Sequence, residues 1–207
     1  MLLTDSGSHY WSLCVEIQFY AAIALLVSIF GKRGLLIIPL VCIAFTVYRI
    51  FNDVHIAINT YFRIDEILSG SVLSLIYYDK LGSASKRYLA RLNQPVMIVL
   101  LIISCHPDSG FVNYMRPYFA AMLVGSTLTN HNSVIAQALS NKVLYYLATI
   151  SFALYIIHPL LAHTWLGEGE KLVKYSKRPV LFLVLFALAH ISTFYFEKKE
   201  LSDISWR

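Results

Sequence analysis

The sequence predicts an all-α integral-membrane protein, a bundle of about seven transmembrane helices, or six if residues 95–105 do not cross. Three observations predict it. Of the 207 residues, 57% are hydrophobic and only 14% are charged, whereas a soluble domain carries roughly 25% charged residues. The apolar residues come in blocks near the length of about 20 residues that a span requires. Short polar stretches that hold most of the Lys and Arg separate the blocks. No internal repeat, low-complexity segment or long linker divides residues 1–207, so they read as a single transmembrane domain.

Residues 14–30 are the first predicted span, and the basic turn Gly31-Lys32-Arg33-Gly34 ends it. Residues 35–48 are the second and contain Pro39, which membrane helices tolerate. Residues 49–59 read as a mixed polar loop. The third span, residues 60–78, opens on Arg63, Asp65 and Glu66 and carries the small patch Ser69-Gly70-Ser71, which permits close helix packing. Residues 79–94 read as a polar, basic connection. The apolar run 95–105 is short: a re-entrant or tilted piece, or a span completed by flanking residues. The turn chemistry of His106-Pro107-Asp108-Ser109-Gly110 leads to the fifth span, residues 116–129. After a polar stretch, residues 143–165 are the sixth, interrupted by His158-Pro159. A charged loop, residues 166–179, precedes the seventh span at 180–196.

Lys and Arg are enriched on the cytoplasmic side of membrane proteins. Seven spans with the N-terminus outside place 10 of the 17 Lys and Arg inside, and six spans place 11 inside. Charge therefore leaves both arrangements open. Both put Glu16 and Arg63 at the outer face and residues 80–91 at the inner one. In the seven-span arrangement His158 and His163 also approach the outer face, which predicts one extracytoplasmic vestibule of polar groups.

Glu16, at the mouth of the first span, is the leading chemical candidate, because an ionisable group there is costly unless it is paired or faces water. It could act as a general base or orient one. It could equally be an acid favoured at a helix start, with Tyr10 and Trp11 as interfacial anchors. Ser12, Glu16 and Tyr20 share one helix face. His158 could relay protons or hold backbone carbonyls beside Pro159. Arg63 could bind a phosphate or carboxylate, pair with Asp65 or Glu66, or snorkel to the interface. His9, His106, His131 and His190 are isolated and receive no role.

The sequence holds no paired CxxC, HExxH, Walker loop or GxSxG, and its three cysteines, Cys14, Cys42 and Cys105, are scattered. It therefore predicts no metal and no nucleotide or hydrolase signature. The first residues, Met-Leu-Leu-Thr-Asp-Ser, lack the basic region of a signal peptide. No basic run is interleaved with aromatics on a polar domain, so nucleic acid is not an expected partner.

The stretch Tyr10-Trp11-Ser12-Leu13-Cys14-Val15-Glu16-Ile17-Gln18-Phe19-Tyr20 resembles the Trp-Ser-Leu-x-Val-Glu-x-Gln-Phe-Tyr signature of the membrane-bound acyltransferase family 3. Arg63-Ile64-Asp65 followed by Gly70 is similar to the family's Arg-x-Asp…Gly span. Ile150-Ser151-Phe152-Ala153-Leu154-Tyr155-Ile156-Ile157-His158 is similar to its Ile-Ser-Tyr-x-Leu-Tyr-x-x-His motif. Glu197-Lys198-Lys199 stands where the family closes with Glu-x-Pro.

The resemblance implies a bacterial inner-membrane, multi-pass protein that O-acylates polysaccharide, with acetyl-CoA or another acyl-CoA as donor, no bound cofactor, and the lipid bilayer and a carbohydrate acceptor as partners. It covers the later part of the family's domain. The family's earlier helices, with their histidine central to acyl transfer and their arginine pair, have no counterpart here, so the resemblance implies a truncated form. It makes Glu16 and His158 the catalytic candidates, and Arg63, Ser12 and Trp11 the substrate-binding ones. The competing expectation is a non-enzymatic carrier, scaffold or inactive remnant, whose buried polar groups line a path or hold helices together.

Overall fold

The computed structural model describes residues 11–54 and 64–197, with the backbone alone for residues 11–13 and 197. Among the described residues every regular element is helical. The described residues form two compact units, one over 15–54 and 64–138 and the other over 139–197 with 11–14.

In the first unit, α1 (Trp11–Phe30) is followed by a 3₁₀ segment, Gly31–Ile37, and α2 (Ile38–Phe51). Gly31 turns the chain with φ +64°, where only glycine is free of a steric penalty. Phe19, Ile23 and Leu26 of α1 then fold back against Ile38 and Cys42. Pro39 lies in the first turn of α2, where its missing N–H has no helical partner to lose. The expected loop at residues 49–59 is corrected in its first part, because α2 continues through Arg49 to Phe51.

The turn after α2 is a Schellman cap. Val54 N donates to Arg49 O at 3.1 Å and Asp53 N to Ile50 O at 3.2 Å, with Asp53 at φ 52°. Helix α3 (Ile64–Tyr77) closes the same way through Lys80 and Leu75, with Asp79 at φ 58°. Aspartate takes the left-handed position that usually goes to glycine or asparagine.

The expected unstructured connection at 79–94 contains a helix, α4 (Ser83–Arg91). Next come α5 (Gln94–Ser104), α6 (Phe111–Tyr114), α7 (Arg116–Thr129) and the short α8 (Val134–Leu139). Asn93 caps α5 by accepting from Val96 N at 3.3 Å. The starts of α3 and α7 meet through Glu66 and Arg116, and Gly125, further along α7, abuts Leu73 of α3. The two helices therefore run in the same direction, and α5 returns the chain between them. Within the small-residue patch Ser69 is buried, whereas Gly70 faces open space.

In the second unit, α9 (Lys142–Ala162) and α10 (Lys171–Ile191) form a hairpin, and a π-helical turn, Ser192–Glu197, continues α10. Asn141 caps α9 by accepting from Val143 N at 2.9 Å. Ile150 and Ala153 pack on Ala189 beneath Tyr146, Phe186 and Phe194. The charged loop expected at 166–179 is half helix, because α10 begins at Lys171 and runs through Pro179. Lys177 steadies the hairpin loop by donating to Trp165 O at 2.8 Å and Glu168 O at 3.3 Å.

Among the described residues three helical stretches are long and apolar enough to cross a membrane: Cys14–Phe51, Lys142–Ala162 and Lys171–Phe196. Helices α3 and α7 have 14 residues each and α5 has 11. At 1.5 Å per residue they reach roughly 21 and 16 Å, short of the hydrocarbon thickness of about 30 Å. Large apolar side chains are exposed along the helices of both units, with Leu40 70%, Ile102 65% and Leu183 73% exposed. Such extensive apolar exposure is typical of lipid-facing surfaces and rare on soluble monomers.

Two glycines test the packing. A Cβ at Gly167 would collide with the Ala162 carbonyl, whereas one at Gly70 would meet nothing within 4 Å. Gly167→Ala is expected to lower stability by about 1–3 kcal/mol. Gly70→Ala, mid-helix, is expected to raise it by about 0.5–1 kcal/mol. SDS titration of micelle-bound protein, followed by circular dichroism, measures both; equal shifts would contradict this packing.

Candidate functional site

The densest polar cluster in the first unit begins with a sequence spacing. Cys42, Thr46 and Arg49 fall at i, i+4 and i+7 of α2, so one stripe of an otherwise apolar helix is polar. Asp65 stands in the first turn of α3, where the helix dipole favours a carboxylate. The two helices meet along this stripe. Arg49 Nη1 donates to Asp65 Oδ2 at 2.7 Å, with Arg49 2% and Asp65 0% exposed.

Thr46 Oγ1 donates to the same carboxylate oxygen at 3.1 Å and lies 2.7 Å from the Tyr118 hydroxyl of α7. Thr46 has one proton to give. With it on Asp65, the Tyr118 O–H is the donor to Thr46. The resulting chain is Tyr118 to Thr46 to Asp65, with Arg49 opposite. Cys42 Sγ adds contacts to Asp65 O at 3.6 Å and to the Tyr118 hydroxyl at 3.5 Å. Asp65 Oδ1 is buried and accepts no hydrogen bond from a described residue.

A second set of contacts surrounds this core. Arg116 Nη2 reaches Glu66 Oε1 at 3.3 Å, with both side chains about one-quarter exposed. Tyr114 O–H donates to Asp53 Oδ1 at 3.3 Å, and the Arg49 guanidinium lies 5.7 Å from the Tyr114 ring centre. Burial, with the Asp53 carboxylate alongside, pushes the Tyr114 phenol above its ordinary range. Asp65 and Glu66 thus find cationic partners far along the chain, in Arg49 and Arg116. Sequence reasoning offered them only Arg63, which lies outside the described residues together with His55. The missed signal was the polar stripe Cys42, Thr46, Arg49.

Glu16 is exposed on α1 with Tyr20 one turn on, as the spacing requires. Its neighbours Val15, Gln18 and Phe19 line an apolar hollow of about 380 Å³ between α1, α2 and α3. Trp11 and Ser12 occupy the first turn of α1, but their side chains lie outside the described residues, as does the closing motif beyond Glu197.

His158 belongs to the second unit. Pro159 has no N–H to give the carbonyl four residues back, that of Tyr155. His158 Nδ1 lies 3.1 Å from this oxygen. A carbonyl only accepts, so Nδ1 carries the proton and caps the orphaned group. Tyr146 and His190 form a separate polar contact, hydroxyl to Nδ1 at 3.1 Å, beneath the stacked ring of Phe194.

Among the described residues no group of three or more His, Cys, Asp or Glu could hold a metal ion. Comparison with protein families, with curated proteins and with solved structures returns no match to this chain.

The buried pair gives a double-variant test. Arg49→Met or Asp65→Leu alone leaves one buried charge uncompensated, and each is expected to lower stability by about 3–5 kcal/mol. The double variant should lose less than either single one. SDS unfolding of the three variants checks this, and additive losses would show that the two groups do not depend on each other.

Proposed function

We propose that this chain is a multi-pass O-acyltransferase of the bacterial inner membrane, which moves an acyl group, acetyl foremost, from acyl-CoA to a hydroxyl of a cell-envelope or exported polysaccharide. The observation that carries this reading is the stretch at residues 11–20, set on one unbroken helix with Glu16 beside an apolar hollow. The ordered reappearance of the family's other motifs supports it. In the reaction a hydroxyl oxygen bonds to the thioester carbonyl carbon, the C–S bond breaks, and the hydroxyl proton passes to a base while the thiol leaves. Glu16 activates or orients the hydroxyl, and His158 serves as a proton relay. Arg63 binds an anionic group of the substrate, and Ser12 and Trp11 are further substrate-binding residues.

Seven spans suit this reading. The common direction of α3 and α7 requires α5 to return the chain, which favours counting residues 95–105 as a crossing. Local bilayer thinning and snorkelling of flanking residues accommodate helices shorter than the bilayer.

A second reading has its own observation. Arg49 and Asp65 neutralise each other, and His158 caps a backbone carbonyl. Polar groups used in this way hold helices together, as in a non-enzymatic scaffold.

The test is acyl transfer in membranes expressing this chain, with labelled acetyl-CoA and cell-envelope glycans. The acyltransferase reading expects incorporation above an empty-vector control and at least a hundredfold loss in Glu16→Gln, the scale of a general base. Absence of incorporation, with the protein confirmed in the membrane, would favour the scaffold.

A further inference from the structure

Helix α4 joins α3 to α5 at the end of the first unit remote from Asp65. Leu89 pins it there, 4% exposed, with its methyls against the space that Gly125 leaves on α7. On the opposite face of the nine-residue helix, Ala84, Arg87, Tyr88 and Arg91 fall at i, i+3, i+4 and i+7, a single outward stripe. The small Ala84 leaves a shallow hollow of about 280 Å³ between the two guanidinium groups and the Tyr88 ring.

The charges here are unevenly satisfied. Lys86 reaches Asp79 at 3.5 Å and lies 4.9 Å from the Tyr77 ring centre. Among the described residues neither Arg87 nor Arg91 meets a carboxylate. Residues 79–94 carry Lys80, Lys86, Arg87 and Arg91 against the single acid Asp79. Two arginines one turn apart, neither meeting a carboxylate among the described residues, present fork-shaped donors suited to phosphate oxygens. Tyr88, 64% exposed, has the amphipathic ring found at the headgroup level of membranes.

We propose that the Ala84–Arg87–Tyr88–Arg91 face of α4 is a binding site for the phosphodiester headgroup of an anionic phospholipid. The lipid, rather than a soluble phosphate, is the occupant because α4 has an apolar helix on each side. Its depth is therefore the membrane interface, where a basic amphipathic helix lies in the plane and attracts anionic lipid. The two arginines hold the phosphate, and Tyr88 and Ala84 accept the glycerol end of the chains. This assignment does not depend on acyl transfer.

Native mass spectrometry of the full chain, released from bilayers of equal phosphatidylglycerol and phosphatidylcholine, tests the site. The wild type is expected to retain phosphatidylglycerol preferentially. Arg87→Gln with Arg91→Gln should reduce that preference about tenfold, whereas Lys142→Gln, an exposed cation of the second unit, should leave it unchanged. Ala84→Trp fills the hollow without changing charge and should reduce retention as well, separating a shaped site from general attraction. Undiminished preference in either the arginine or the tryptophan variant would overturn the proposal, the latter by leaving only general attraction. So would displacement of the lipid by excess inorganic phosphate, which would identify a soluble anion as the ligand.

Discussion

The first unit depends on the ion pair between Arg49 and Asp65. Between helices whose other surfaces are apolar, two opposite charges 2.7 Å apart fix the register of α2 against α3 more strictly than dispersion contacts can. Lipid tails are as apolar as leucine, so burial of hydrocarbon alone gives membrane helices little reason to prefer one another. The few fully buried residues of this unit are accordingly rich in polar groups: Thr46, Arg49, Asp65, Ser104, Asn113 and Ser126. Thr46 and Tyr118 extend the constraint to α7, and Glu66 with Arg116 repeats it at the rim. The bundle is thus tied by hydrogen bonds at the end where α3 and α7 begin. Toward its other end small residues at the contacts, above all Gly125, allow close approach.

Much of the helical architecture was legible in the sequence, because apolar blocks and helix signals coincide. Proline in the first turn of α2, α5 and α7, asparagine before α5 and α9, and the glycine turn after Phe30 mark the boundaries. The helices in polar stretches were not legible by hydropathy. The short α6 and α8 form where turn and polar connection were expected, α4 buries one leucine and exposes arginines, and the first two turns of α10 are lysine-rich. The partners of Asp65 and Glu66 were hidden for a different reason. Arg49 stood at the edge of a predicted loop, and only a helix extended to Phe51 turns it toward α3.

The chemical candidates divide along the same line. Glu16 is exposed on α1, with Tyr20 exposed one turn on. His158 acts on a carbonyl exposed by its own neighbour, an interaction that follows from the His-Pro dipeptide and needs no tertiary partner. Arg63, Ser12 and Trp11 rest on the motif resemblance alone.

The hydrogen bond to the Tyr155 carbonyl explains how α9 carries a proline in its interior. Pro159 withdraws one donor from the helix, and the side chain just before it supplies another, so the turn keeps its full set of hydrogen bonds and runs on to Ala162.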